Sequence, residues 1–162
     1  MVASLVRRAA LLALLTWLVP ACDPLLPPDL VGVTRDSQTG IVEVFYSRCS
    51  DELVRLVEIV VLKGNVAGDE DDRVLWRITS THGSTENDFV VGHIPAGFSE
   101  EFPLQGDLPA GESLAVIVDT NLRPGPFQEF RLEQLRGGEV LTNDQYVSSA
   151  DFASQTPEDC PA

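Results

Sequence analysis

The sequence has little positive charge, with 11 Lys plus Arg against 25 Asp plus Glu in 162 residues, and only one of the eleven is Lys. A formal net charge of -14 provides no basic surface for nucleic-acid phosphates, which excludes a DNA- or RNA-binding protein. Histidine and cysteine are also scarce, with two and three copies. The 44% hydrophobic and 22% charged content is nevertheless typical of a globular chain, and the length fits one domain.

The common catalytic signatures are absent as well. No G-x-S-x-G, H-E-x-x-H, C-x-x-C or phosphate-binding Gly-Lys-Ser/Thr pattern occurs. The best acid–base material is His82 and His93, which with Ser84 and Asp88 flank one predicted loop. A nucleophile needs its base within about 3 Å and an orienting group behind that base, and closeness in sequence provides neither. We therefore expect no catalytic residue, and the enzyme alternative is a small hydrolase or ligand-processing accessory that uses the His82 to Asp88 loop.

A run of four acidic residues lies in the predicted loop 63–72, at Asp69, Glu70, Asp71 and Asp72. Carboxylates on a flexible loop are ligands that Ca²⁺ prefers, but the spacing is not that of an EF-hand. A solvated acidic loop that discourages pairing at a sheet edge is the alternative we favour. We expect no metal site and no cofactor other than lipid.

The N-terminus has the parts of a secretory signal peptide. Arg7 and Arg8 form a positive region, an apolar run of eleven residues follows from Ala9 to Val19, and the small residue Ala21 precedes a cleavage point. The run is too short for a confident membrane span, which needs about 20 apolar residues. The sequence predicts that residues 1–21 are removed on export.

The residues around the cleavage point resemble the lipobox of bacterial lipoproteins. The segment Leu18-Val19-Pro20-Ala21-Cys22 has an aliphatic residue three places before Cys22 and a small residue directly before it. The resemblance covers residues 1–22 only. It implies that Cys22 becomes diacylated and N-terminal, anchoring the protein to the outer face of the cytoplasmic membrane. A plain secretory signal is the alternative, and the product would then be periplasmic or secreted.

The number of cysteines is consistent with lipid attachment at Cys22. An exported chain with three cysteines leaves one thiol over. If Cys22 carries lipid, the remaining Cys49 and Cys160 can pair, and the bridge would tie the C-terminal tail to the end of a predicted strand. A closed loop of this size contributes roughly 4 to 5 kcal/mol in the loop-entropy model. Two free buried thiols are the alternative.

Residues 22–29 form the predicted anchor and tether. Three prolines, Pro24, Pro27 and Pro28, stiffen the segment, which spans roughly 20 Å at about 3 Å per residue. Removal of residues 1–21 also removes two arginines, so the mature chain has 9 basic and 25 acidic groups. An acidic body stands off anionic headgroups, and we expect the domain to face outward.

The chain from residue 30 onward predicts short strands between Gly and Pro turns. The alternation of apolar and polar residues is clearest at residues 73–80, where Trp76 is the first core candidate. Segment 53–62 also fits a helical stripe behind Ser50-Asp51-Glu52, but its β-branched residues favour a strand. The predicted strands are 30–34 and 41–46, which form a hairpin, then 53–62, 73–80, 89–94, 97–104, 113–119 and 127–135.

The C-terminal third is more ambiguous. Segment 127–135 fits a strand, or a helix that begins at Pro126 and ends at Gly137-Gly138. Residues 148–154 predict one helical turn capped by Ser148 or Ser149, with Phe152 docking the tail. The pattern predicts an all-β domain over 30–162, an antiparallel β-sandwich of immunoglobulin or fibronectin type with seven or eight strands.

These observations favour a non-enzymatic binding or structural module of the cell envelope. Such a module is held at the membrane by its lipid, and its sandwich loops or edge strands bind another envelope protein or a cell-wall ligand. The expectation combines the short tether, the strand pattern and the missing motifs.

Overall fold

The computed structural model describes residues 30–64, 67, 70–157 and 160. The predicted signal peptide, Cys22 and the tether lie outside the described residues. The described part forms ten strands, a 3₁₀-helix at Leu132–Gln134 and a short helix, α1, at Ser149–Ser154. The strands are β1 Val31–Arg35, β2 Val42–Tyr46, β3 Val54–Val61, β4 Arg73–Ser84, β5 Asp88–Val90, β6 Ser99–Phe102, β7 Leu114–Thr120, β8 Phe127–Phe130, β9 Glu139–Thr142 and β10 Gln145–Ser148.

The strands form two five-stranded sheets in which every pairing is antiparallel. Sheet 1 has the order β10-β9-β1-β2-β5, and sheet 2 has the order β6-β4-β3-β7-β8. One cluster of buried apolar side chains draws on both sheets, so they pack face to face as an all-β sandwich. Its most buried members include Val33, Val44 and Phe89 of sheet 1 and Val57, Ile59 and Trp76 of sheet 2.

The predicted hairpin at the start of the domain is confirmed. β1 pairs with β2, and Val33 lies opposite Val44. The turn between them begins at Asp36, whose side chain accepts hydrogen bonds from the backbone N–H groups of Gln38 and Thr39. This Asx-type turn fixes the hairpin, and the alternating valines then direct one face of the hairpin into the core.

The ambiguous segment 53–62 is a strand and not a helix. β3 lies in the middle of sheet 2, between β4 and β7. Both of its faces are covered, since Val57 and Ile59 enter the main core while Val60 packs in a second small cluster with Ala115. A strand buried on both faces gives a continuous apolar run, and this explains why its sequence also fits a helical stripe.

The predicted number of strands was too low. The hairpin of β9 and β10 was missed, and its two-residue turn, Asn143-Asp144, has positive φ at both positions, 42° and 59°. Positive φ at both turn residues is the geometry of the tight turns that match the twist of a hairpin. The predicted strand 127–135 ends at Phe130 and continues as the 3₁₀-helix.

Three other predicted boundaries were also wrong. The strands predicted at 89–94 and 97–104 are shorter in the structure, as β5 and β6. β4 instead extends to Ser84, which places His82 and Ser84 on a strand and not in a loop. Trp76, on the same strand, is fully buried as predicted.

The C-terminal helical turn is confirmed. Ser148 is the N-cap of α1, and its Oγ accepts a hydrogen bond of 3.0 Å from the backbone N–H of Asp151. Phe152 is buried, and its ring centroid is 6.2 Å from that of Phe45. A Cβ on Gly32 would collide with the Val140 side chain and come within 2.9 Å of the Phe152 ring. Gly32 therefore leaves the space on β1 in which Phe152 packs.

We distinguish the two ends of the sandwich by the strand ends that lie there. We call one the disulfide end, where Leu30 leads into β1 and β2 ends at Tyr46. We call the other the loop end, where β1 ends at Arg35 and β2 begins at Val42. In the described residues no helix has the length and apolarity needed to cross a membrane.

Candidate functional site

Cys49 and Cys160 form a disulfide at the disulfide end. Their Cα atoms are 5.4 Å apart, and 111 positions separate them in sequence. Cys49 is buried, whereas Cys160 is half-buried. The same tail is also held by Ser47, whose Oγ donates a hydrogen bond of 2.9 Å to the carbonyl of Gln155. The bridge therefore fixes the C-terminal tail against the loop that follows β2.

A fully buried carboxylate lies beside this disulfide. Glu52 Oε1 accepts hydrogen bonds from the Tyr46 hydroxyl at 2.7 Å and the Thr120 hydroxyl at 2.8 Å, and Oε2 accepts one from the backbone N–H of Cys49 at 3.0 Å. Arg123 Nε is 3.7 Å from Oε1. A buried charge is tolerated when it is paired and hydrogen-bonded in this way. We call these five residues the Glu52 cluster.

Two guanidinium groups surround Cys49. Arg123 Nη2 is 3.1 Å from Cys49 Sγ and donates a hydrogen bond to it. Arg48 Nη1 donates to the backbone carbonyls of Cys49, Ser50 and Glu52 at 3.0 to 3.3 Å. Cys49 is thus held at its sulfur by Arg123 and at its backbone by Arg48.

The Glu52 cluster has no local signature in the sequence. There Glu52 fits only a possible helix start, because an acidic residue ahead of an apolar run resembles a solvated N-terminus. The partners Tyr46, Thr120 and Arg123 come from the end of β2, the end of β7 and the loop after β7. A local pattern gives no indication that these elements meet, so the sequence had no signal for the cluster.

A groove of about 590 Å³ lies beside the cluster at the disulfide end. We call it the β8 groove. Gln128 supports its floor, since its Oε1 accepts a hydrogen bond of 2.7 Å from the backbone N–H of Asn143. Phe127 is 46% exposed, so an aromatic ring remains open to solvent there. The lining includes Leu30, Arg123, Pro124, Pro126, Phe127 and Asp144.

A second cavity, of about 610 Å³, lies at the loop end. We call it the outer cavity. Hydrogen bonds from the backbone N–H groups of Glu133 itself and of Gly111, together with nearby Arg131 and Arg35, lower the pKa of the Glu133 carboxyl. The lining includes Arg35, Ile41, Leu104, Asp107, Leu108 and Glu133. The cavity thus combines apolar walls with charges of both signs, a composition usual for ligand sites.

The candidate acid–base residues lie apart, at exposed or half-buried positions near the surface. His82 and His93 are both exposed, and neither lines the β8 groove or the outer cavity. The Ser84 hydroxyl oxygen accepts a hydrogen bond from the backbone N–H of Glu86. Burial, with the negative charge of Glu86, raises the pKa of Asp88. Within the described ranges no hydrogen bond joins His82, Ser84 and Asp88.

The acidic loop is described only in part, because Asp69 lies outside the described residues. Asp72 Oδ1 accepts a hydrogen bond of 3.0 Å from the backbone N–H of Lys63, which closes the loop at its base. For the portion of the chain that the structure covers, no three His, Cys, Asp or Glu side chains are grouped to hold a metal ion.

Comparison with known proteins identified no relative of this chain. A scan against protein-family models, a search of curated proteins and a search of solved structures each found no match. The site must therefore be interpreted from its own geometry.

Proposed function

We propose that this protein is an exported bacterial lipoprotein, anchored by acyl chains on Cys22 to the outer face of the cytoplasmic membrane. In this proposal it is a non-enzymatic module that binds another envelope protein or a cell-wall ligand. The observation that carries it is the Cys49–Cys160 disulfide. The bridge uses both cysteines of the domain, so Cys22 is the one left over, directly after the lipobox-like residues.

The position of the outer cavity supports a binding role. The tether would join the domain at Leu30, at the disulfide end, while the outer cavity lies at the loop end. The five residues of β1 separate the two, about 16 Å at 3.3 Å per residue. A domain held at Leu30 therefore presents the outer cavity away from the membrane, toward ligands in the envelope.

The composition of the outer cavity also favours binding. Ile41, exposed to 43%, and Leu104 offer apolar contact, while Arg35 and Glu133 offer one positive and one negative group. The acid–base candidates of its lining are the carboxylates of Asp107 and Glu133, and the lowered pKa of Glu133 makes that carboxylate a weak general base. Such a surface suits an amphipathic segment of another protein or a short cell-wall fragment.

We further propose that the sandwich is of the immunoglobulin or fibronectin type. Its strand order supports this. In sheet 1, β1, β2 and β5 are neighbours in that order, like strands A, B and E of an immunoglobulin domain; in sheet 2, β4, β3, β7 and β8 follow the order C′, C, F and G. The hairpin of β9 and β10 and the strand β6 are additions to that pattern.

The anchor is tested by the intact mass of the protein extracted from membranes. We expect a mature chain that begins at Cys22, carries acyl mass and lacks two hydrogens from the remaining thiols. The Cys22→Ala variant is the control, and it should leave the membrane fraction or accumulate unprocessed. A reduced, unprocessed chain in the cytosol, or an unmodified soluble chain that begins elsewhere, would overturn the proposal.

The binding face is tested by photocrosslinking in whole cells. Ile41 at the loop end and Phe127 at the disulfide end are apolar and about equally exposed, at 43% and 46%, so a photoreactive residue at each makes a matched pair. We expect discrete adducts from position 41 and few from position 127. Adducts from position 127 alone would place the binding surface at the opposite end.

A further inference from the structure

We infer that the Cys49–Cys160 disulfide is open to exchange with a protein dithiol, with Cys160 as the sulfur that is attacked and Cys49 as the leaving thiolate. The partner is a dithiol oxidoreductase that shares its compartment. The inference goes beyond the proposed binding function and holds whether or not Cys22 carries lipid.

The two sulfurs differ in accessibility. Cys49 is 2% exposed and belongs to the buried Glu52 cluster, so an external thiolate cannot approach it in the folded protein. Cys160 is half-buried and lies close to the C-terminus. Thiol–disulfide exchange depends on which sulfur can be reached. The fold therefore directs the attack to Cys160.

The two sulfurs also differ as leaving groups. Attack on Cys160 makes Cys49 depart, and Arg123 Nη2 already lies 3.1 Å from Cys49 Sγ. A guanidinium at this distance stabilises the thiolate, and a more stable thiolate leaves faster. Cys160 has no comparable contact among the described residues. Accessibility and charge thus favour the same direction of exchange.

The other charges around Cys49 must be counted as well. The carboxylate of Glu52 repels a new negative charge on Cys49, because the two residues are in contact: Glu52 Oε2 accepts a hydrogen bond of 3.0 Å from the Cys49 N–H. Three hydrogen-bond donors and Arg123 already compensate this carboxylate. Arg48 adds a second guanidinium at the Cys49 carbonyl. Among the described residues, two guanidinium groups therefore lie near Cys49 against one buried carboxylate, but only the Arg123 group reaches the sulfur, so Arg123 is the group that stabilises the thiolate.

The exchange balances in two steps. A thiolate of the partner attacks Cys160 Sγ, a new S–S bond forms, the Cys49–Cys160 bond breaks, and its electron pair leaves on Cys49. The second thiol of the partner, as thiolate, then attacks the mixed disulfide and releases Cys160 as a thiolate, which takes a proton from water. The partner is oxidised to a disulfide and this protein is reduced by two electrons.

The direction of attack is tested on the unaltered protein with reduced glutathione as the probe. The reaction is quenched with N-ethylmaleimide, and peptide mass spectrometry locates glutathione and maleimide. We expect glutathione on Cys160 and maleimide on Cys49. Glutathione on Cys49, or on both cysteines equally, would refute the assignment.

The role of Arg123 is tested by the rate of reduction with glutathione. Arg123→Gln should slow it by at least about fivefold, because the leaving thiolate loses its cation. Arg48→Gln is the matched control, since Arg48 contacts backbone carbonyls and not the sulfur, and it should stay within about twofold of the wild type. General loosening of the fold would speed reduction, so an unchanged or faster rate in Arg123→Gln contradicts the leaving-group role.

A second measurement does not depend on the disulfide. In Cys160→Ser the Cys49 thiol is free, and the pH dependence of its ultraviolet thiolate absorbance reports ionisation without a reagent having to reach the buried sulfur. The midpoint should lie below that of the same variant unfolded in urea, and Arg123→Gln in this background should raise it. Midpoints that coincide in the folded and unfolded protein would contradict stabilisation of the thiolate by Arg123.

Discussion

Removal of the disulfide should destabilise the domain mainly through its unfolded state. The bridge closes a loop across 111 positions. In the chain-entropy model a loop of this length lowers the entropy of the unfolded chain by about 16 cal/mol/K, which is about 4.8 kcal/mol at 25 °C. Single domains have a total free energy of unfolding of roughly 5 to 15 kcal/mol. The double variant Cys49→Ala/Cys160→Ala should therefore lose a large share of its stability.

The assay is urea unfolding followed by tryptophan fluorescence, which reports the buried Trp76. We expect a free energy of unfolding lower by about 4 to 5 kcal/mol and a Tm lower by on the order of 15 °C. The reduced wild-type protein is the control, because it keeps both side chains. It should match the double variant if loop closure is the cause, while a larger loss in the variant alone would measure the packing of Cys49.

A loss below about 1 kcal/mol in both samples would refute the loop-entropy argument. The unfolded chain would then keep residual structure that already holds the C-terminal tail near β2, so that the bridge removes little further entropy.

Three further predictions concern single side chains. Glu52→Gln should cost about 3 kcal/mol in urea unfolding, because the amide leaves buried donors unmatched and removes the partner of a buried cation, whereas Glu129→Gln, at an exposed position, should change little. Asp144→Gly should raise the free energy of unfolding by about 0.5 to 1 kcal/mol, since glycine accepts the φ of 59° that aspartate adopts at a cost, and a loss of stability would contradict that turn geometry. The raised pKa of Asp88 means that the folded state binds this proton more tightly, so its contribution to stability is present at low pH and is lost as the pH rises through the pKa of the folded protein. Asp88→Asn should therefore have a higher free energy of unfolding than the wild type at neutral pH and the same value below about pH 3. A difference in the free energy of unfolding that persists in acid would contradict the raised pKa.

The parts of the fold that the sequence predicted are those with a local physical cause. The hairpin of β1 and β2 follows from alternating valines around an aspartate turn, and the cap of α1 follows from Ser148. Trp76 lies in the clearest alternation in the chain, which is why it could be placed in the core. In each of these cases a few neighbouring residues suffice to determine the structure.

The parts that were missed depend on weak or distant signals. β9 and β10 have four residues each, and their turn is Asn143-Asp144 and not the more frequent Asn-Gly. The Glu52 cluster depends on elements that meet only in the folded chain, so its carboxylate looked like a solvated one. The two cavities could not be predicted for the same reason, because each is built from segments far apart in sequence.

The position of β1 has a consequence for how the chain is made. β1 pairs with β2, which follows at once, and with β9 through Val33 and Leu141, more than a hundred residues later. During synthesis the first hairpin therefore waits with both outer edges open, the edge of β2 until β5 emerges and the edge of β1 until β9 emerges. Open edges of this kind recruit other strands. Newly made protein should be most prone to aggregate before residue 141 appears, and a chaperone that covers β1 during this interval would protect it.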